Sequence, residues 1–164
     1  VLVDSQLVVF RFGSVSDAED ALDTIRSLAA QGFVTVEDGV IIGRDVDGTV
    51  SVKPMALTEL VRTSTLGGVL GLLAGSVIGL PMLGALAGAG VGAKKSVSTE
   101  RLEEFMETIG REMESGTAVV AIMVDSVDDP ETVADRLEVH RDTILRLDIP
   151  AELRTHIDVQ RQQR

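Results

Sequence analysis

"LGGVLGLLAGSVIGLPMLGALAGAGVGA", residues 66–93, contains no charged side chain. Whether this stretch crosses a bilayer or packs inside protein decides the fold and most of the function. Gly67, Gly71, Gly75 and Gly79 recur every fourth residue, and so do Gly84, Gly88 and Gly92. Residues four apart share a helix face, so each series draws a strip of bare backbone along a helix. A second helix can approach such a strip closely and gain dispersion contacts and weak Cα–H···O bonds. Leu66, Leu70, Leu73, Val77 and Leu80 form a bulky stripe on the first arm. Each helical glycine costs about 1 kcal/mol relative to alanine, so such a helix needs lipid or protein around it.

Pro81 separates the two glycine series, and proline removes a helix hydrogen bond and clashes with the preceding turn. The reading is therefore a helical hairpin turning at Pro81. A hairpin also returns the chain to its starting side, so that strands before and after it can join one sheet. Arg62 precedes the apolar stretch, and Lys94 and Lys95 close it. If the hairpin enters a membrane, all three lie at one interface, the cytoplasmic one under the positive-inside tendency. The arms are short for this: residues 63–80 span roughly 27 Å as helix and residues 82–93 roughly 18 Å. A hydrocarbon core is about 30 Å thick. There is no Trp or Tyr for an interfacial belt. A re-entrant hairpin and a protein-only zipper core shared between subunits both stay open.

The flanks read as alternating strands and helices. "LVVFRF" (7–12) is a strand. In "SDAEDALDTIRSLAAQG" (16–32), Ser16 and Glu19 suggest a capping box, Ala18, Leu22, Ile25 and Leu28 share a face, and Gly32 is a stop. "FVTVEDGVIIGR" and "TVSVKP" are two strands joined through Asp47-Gly48, a hairpin-turn pair. After the apolar stretch, Ser98 caps a helix whose inner face is Leu102, Phe105, Met106, Ile109 and Met113, with Gly116 at its end. "TAVVAIMV" (117–124) suits a strand buried on both faces. Asp129-Pro130 opens a third helix with Val133 and Leu137 inward. "TILRLDI" (143–149) reads as a strand, and a polar tail follows Pro150. The expected fold is α+β: a ferredoxin-like, split β-α-β head, with the apolar hairpin inserted after its third strand. The expected divisions are 1–62 and 96–149 for the two halves of the head, 63–95 for the hairpin, and 150–164 for the tail.

This layout resembles a bacterial family of unknown function, the domain-of-unknown-function group numbered twelve sixty-nine, whose members are often labelled membrane proteins. The resemblance rests on "VVFRF" followed by "SDAEDALDTIRSLAAQG", on "VTVEDGVIIGRDVDGTVSVK", on the glycine-rich hairpin and on "SGTAVVAIMV". It covers nearly the whole chain and implies the architecture and a membrane association. It implies no catalytic residue and no cofactor. The tail "PAELRTHIDVQRQQR" extends past the pattern and suits a partner-binding role.

Composition narrows the function further. The formal net charge of -11 repels nucleic-acid phosphate, and aromatics at 2% leave no stacking platform. The absence of cysteine removes disulfides, thiolate metal sites and cysteine nucleophiles. "GAGVGA" (88–93) matches a dinucleotide fingerprint only formally, since it continues an apolar arm instead of following a strand. Asp45 and Asp47 before Gly48 fail as a calcium loop because Gly43 and Pro54 fall where carboxylates are needed. Asp125, Asp128, Asp129 and Glu131 read as helix-start charges. His140 and His156 are too far apart for a pair on one helix and sit by no nucleophile motif.

The sequence thus points to a non-enzymatic protein that associates with itself, with no catalytic, cofactor or metal residues. Hairpins pack between subunits at the cytoplasmic face of a bacterial inner membrane. The alternatives are a soluble, cytoplasmic homo-oligomer with hairpins buried in protein, and a small-molecule-binding regulatory module. The expected packing residues are Gly67, Gly71, Gly75, Gly79, Gly84, Gly88, Gly92, Leu66, Leu70, Leu73 and Val77. The expected partners are further copies of the chain and a bilayer, with no nucleic acid.

Overall fold

The structure is a computed structural model that describes residues 5–54, 73–75, 77, 97–127, 130–137 and 144–150. In chain order the elements are β1 (Ser5–Phe12), α1 (Val15–Ala30), β2 (Val34–Arg44), β3 (Val50–Pro54), α2 (Val97–Glu112), β4 (Ala118–Val127), α3 (Pro130–Arg136) and β5 (Ile144–Ile149). The fold is α+β, as the alternation of periods in the sequence requires. Every strand pairing is antiparallel, and the sheet order is β3-β2-β4-β1-β5. Thus β4, and not β3, lies between β1 and β2; β3 is an edge strand paired only with β2.

Local chemistry explains most element boundaries. Helix α1 starts two residues earlier than the capping-box pattern suggests. Ser14 is the N-cap, its hydroxyl accepting from the Asp17 amide at 3.1 Å, which leaves Ser16 inside the first turn. Gly32 ends the helix at φ +84, and the Phe33 amide donates back to the Leu28 carbonyl at 3.0 Å. Asp47-Gly48 makes the expected tight turn: Gly48 sits at φ +88, and the Asp47 carboxylate accepts from the Thr49 amide at 2.9 Å. Helix α2 begins at Val97, so Ser98 already belongs to it. The Asp129 cap expected for α3 falls outside the described residues.

Alternation along the strands divides the core in two. Val8, Phe10, Ile41, Val120, Ile122 and Val124 point to one face, where Leu22, Ile25 and Leu28 of α1 and Val133 of α3 cover them. Leu7, Val9, Val40, Ile42, Val119, Ala121 and Met123 point to the other, where Leu102, Met106 and Ile109 of α2, with Met113 just after it, meet them. Strand β4 is therefore buried on both sides, as its unbroken apolar run requires. Phe105, expected on the inner face of α2, is half-buried at its margin. Each fully buried Leu, Ile or Met contributes about 2 kcal/mol relative to exposure. Helix α2 alone does not complete the second face, and what joins it there bears on function.

Candidate functional site

Leu73, Ala74, Gly75 and Val77 are helical and buried. Leu73, at 0% exposure, and Val77, at 5%, enter the same core as Leu7, Val9, Val40 and Ile42. The apolar stretch thus seats two residues of its bulky stripe on the chain's own sheet, beside α2. Gly75, two positions from each, lies roughly 200° from both around an ideal helix and is itself buried within the chain. Ala74, between Leu73 and Val77, enters the same core at 5% exposure, so the chain covers small as well as large residues of this turn.

Arg44 holds this seat. It ends the buried run of β2, where an unpaired charge would be costly. Its Nη1 donates to the Met113 carbonyl at 3.0 Å and its Nη2 to the Val77 carbonyl at 3.4 Å. Met113 directly follows α2, so the guanidinium also sits at the negative end of that helix dipole. Arg44 Nε is buried and has no hydrogen-bond partner among the described residues. The Arg44 backbone is fixed as well: its amide donates to the Thr117 carbonyl at 2.9 Å and its carbonyl accepts from the Gly116 amide at 2.6 Å. Gly116 adopts φ +84, a left-handed conformation that glycine accepts without strain. One side chain thereby links β2, the end of α2 and the apolar stretch. The sequence signal for it was a lone arginine closing "VIIG", a position where burial demands an acceptor.

Asp38 lies on the same face of β2, opposite Met123 in the ladder. Its carboxyl is pushed above the usual value, chiefly by burial and also by the neighbouring Glu37 charge; a hydrogen bond from the Gly39 amide opposes the rise. The register slips on either side of Val36 free Glu37 from the ladder, and its carboxylate accepts from the buried Ser5 hydroxyl at 3.2 Å. Asp47, in the exposed turn, is instead held below its usual value by hydrogen bonds from the Thr49 amide and hydroxyl. The opposite face of the sheet carries a narrow apolar recess over Val8, Phe10 and Ile122, with Gln6 and Arg146 at its rim.

Of the packing, turn and interface residues expected for the apolar stretch, Leu73, Gly75 and Val77 are described. Gly67, Gly71, Gly79, Gly84, Gly88, Gly92, Leu66, Leu70, Pro81, Arg62, Lys94 and Lys95 lie outside the described residues. Among the described residues no helix is long and apolar enough to cross a membrane. The family described as "Protein of unknown function (DUF1269)" matches residues 64–160, which take in the apolar stretch, α2, β4, α3 and β5. The chain belongs to that family. No curated protein and no solved structure matches it.

Proposed function

We propose that this family member is a non-enzymatic, self-associating structural protein. The 73–77 part of the apolar stretch is anchored on its own sheet, and the remaining glycine-rich length packs against other copies of the chain at the cytoplasmic face of a bacterial membrane. The supporting observation is the seating of the stretch: Leu73, Ala74 and Val77 fill the intrachain core, which leaves the rest of the glycine-rich length to associate. Leu73 and Val77 then act within one chain, and association falls to the glycines, with Gly84, Gly88 and Gly92 the principal ones. Arg44 fixes where the stretch leaves the head. Pro81 turns it back, and Arg62, Lys94 and Lys95 gather at the bilayer surface.

The head reads as a ferredoxin-like core on this account. In support, β1-α1-β2 and β4-α3-β5 interleave in the order β5-β1-β4-β2, with α1 and α3 on one face. Strand β3, the apolar hairpin and α2 are then one insertion between the second and third core strands, and α2 and the hairpin cover the face that such a core leaves open.

Detergent-free lysis followed by sedimentation tests the proposal. The expected result is that the chain travels with the membrane fraction as an assembly larger than a dimer. Recovery as a soluble monomer contradicts it. A discrete soluble particle retains association through the glycines and removes the bilayer.

A further inference from the structure

The two sheet edges are built differently. Strand β3 carries Lys53 and Pro54, a charge and a missing donor, both common guards against pairing with another chain. Strand β5, "ILRLDI", has no lysine and no proline within it, and its outer side is unpaired among the described residues. Its register against β1 assigns its faces. Leu145 and Leu147 stand opposite Val9 and Leu7, on the face covered by α2; Arg146 and Asp148 stand opposite Val8 and Gln6, on the other. Arg146 and Asp148 are exposed. Asp148 accepts from Gln6 Nε2 at 3.0 Å.

We propose that the outer edge of β5 pairs antiparallel with the same edge of a second copy of this chain, with Leu147 on the two-fold axis. A two-fold perpendicular to the sheet keeps each face on its own side, so the axis must pass through a residue. Centring on Arg146 sets two arginines opposite each other, and centring on Asp148 sets two aspartates opposite each other; directly opposed like charges disfavour pairing. Centring on Leu147 places Arg146 opposite Asp148 of the second copy, twice by symmetry. It also places Leu147 on Leu147 and Leu145 on Ile149, so that the apolar face continues across the joint. Pro150, with no amide hydrogen, ends the pairing one residue past Ile149. Of these three registers only the one centred on Leu147 opposes unlike charges, and the fitting partner is the chain itself. This interface is separate from the glycine-rich stretch, and either stands without the other.

The chain has no cysteine, so a single Leu147→Cys in the full chain reports the axis directly. Opposed residues in an antiparallel pair lie within the Cα distance that a disulfide spans. Under mild oxidation the covalent dimer is expected as the main product, with a Val46→Cys control in the exposed turn staying mostly monomeric. In the Leu147→Cys background, Arg146→Asp and Asp148→Arg should each lower the dimer yield several-fold, and the double charge swap should restore it. The double variant lacks the Gln6–Asp148 bond as fully as Asp148→Arg does, so recovery isolates the contact between chains. Sedimentation velocity of the charge variants without the cysteine should give the same ranking, which covers the case of a poorly folding cysteine variant. Equal behaviour of all charge variants, or no cross-link at Leu147, overturns the proposal. Repeating the series in a Gly88→Leu background should leave the dimer intact, whatever happens to larger assemblies.

Discussion

Arg44 shows how one side chain converts a burial problem into a joint. The guanidinium is partly buried, so the fold supplies carbonyls from just past the end of α2 and from the helical turn at Val77. Charge-assisted hydrogen bonds contribute more than neutral ones. Replacing Arg44 by Met should therefore cost about 2 kcal/mol in denaturant unfolding. Arg44→Lys should recover only part, because an ammonium cannot reproduce the forked geometry. Asp38 behaves in the opposite sense. Its folded-state pKa is raised, so the folded protein binds its proton more tightly than the unfolded chain does. Stability from this group is then lost as pH rises from the unfolded value, 3.8, through the folded one. Asp38→Asn should raise the melting temperature at pH 7 and flatten the pH dependence in the window just above 3.8. Equal melting temperatures at pH 7 would remove Asp38 as a source of strain. At the start of α1, Ser14→Ala should cost about 1 kcal/mol while Ser16→Ala costs a few tenths. The sequence alone favoured Ser16 because Glu19 follows it at capping-box spacing. Both serines precede acidic residues, and only the strand-to-helix geometry at Gly13-Ser14 decides which one turns its hydroxyl onto the free amides.

At the scale of elements, periodicity carried most of the information. The face Leu102, Met106, Ile109 and Met113 was legible because a helix four turns long leaves little ambiguity in phase. Strand β4 was legible for the opposite reason, its lack of alternation. Strand β5 reads from its β-branched and leucine content despite charges at alternate positions, which is the pattern of a strand covered on one side. What the glycine-rich stretch packs against was not legible. A stripe such as Leu66, Leu70, Leu73 and Val77 is apolar toward any neighbour, and no local feature distinguishes a partner chain from the chain's own sheet. The unfinished face beside α2 supplies that answer for Leu73 and Val77. Leu73→Ala should accordingly lower the unfolding free energy by about 2–5 kcal/mol, like other fully buried leucines. A cost under about 1 kcal/mol, with association lost instead, would return Leu73 to the subunit interface.

For the whole molecule, composition and element order gave the α+β class, but the position of β3 was not available from them. Strands joined by a tight hairpin pair with each other whether or not either is central, so "VIIGRDVDGTVSVK" fixes the β2–β3 contact and leaves open which strand fills the gap between β1 and β2. The apolar, doubly buried β4 takes that gap because only a central strand can bury both of its faces. The same logic gives the molecule two layers over one sheet, with Leu73, Ala74 and Val77 of the apolar stretch joining α2 in the second. On the proposed function, association falls to the glycines outside the seat at Leu73 and Val77. The sedimentation-equilibrium mass of the full chain bearing Gly88→Leu, measured beside the unaltered chain under the same conditions, tests this most directly. The account predicts a fall from the larger assembly to a species no bigger than a dimer, with an unchanged unfolding transition of the head; an undiminished mass would contradict it.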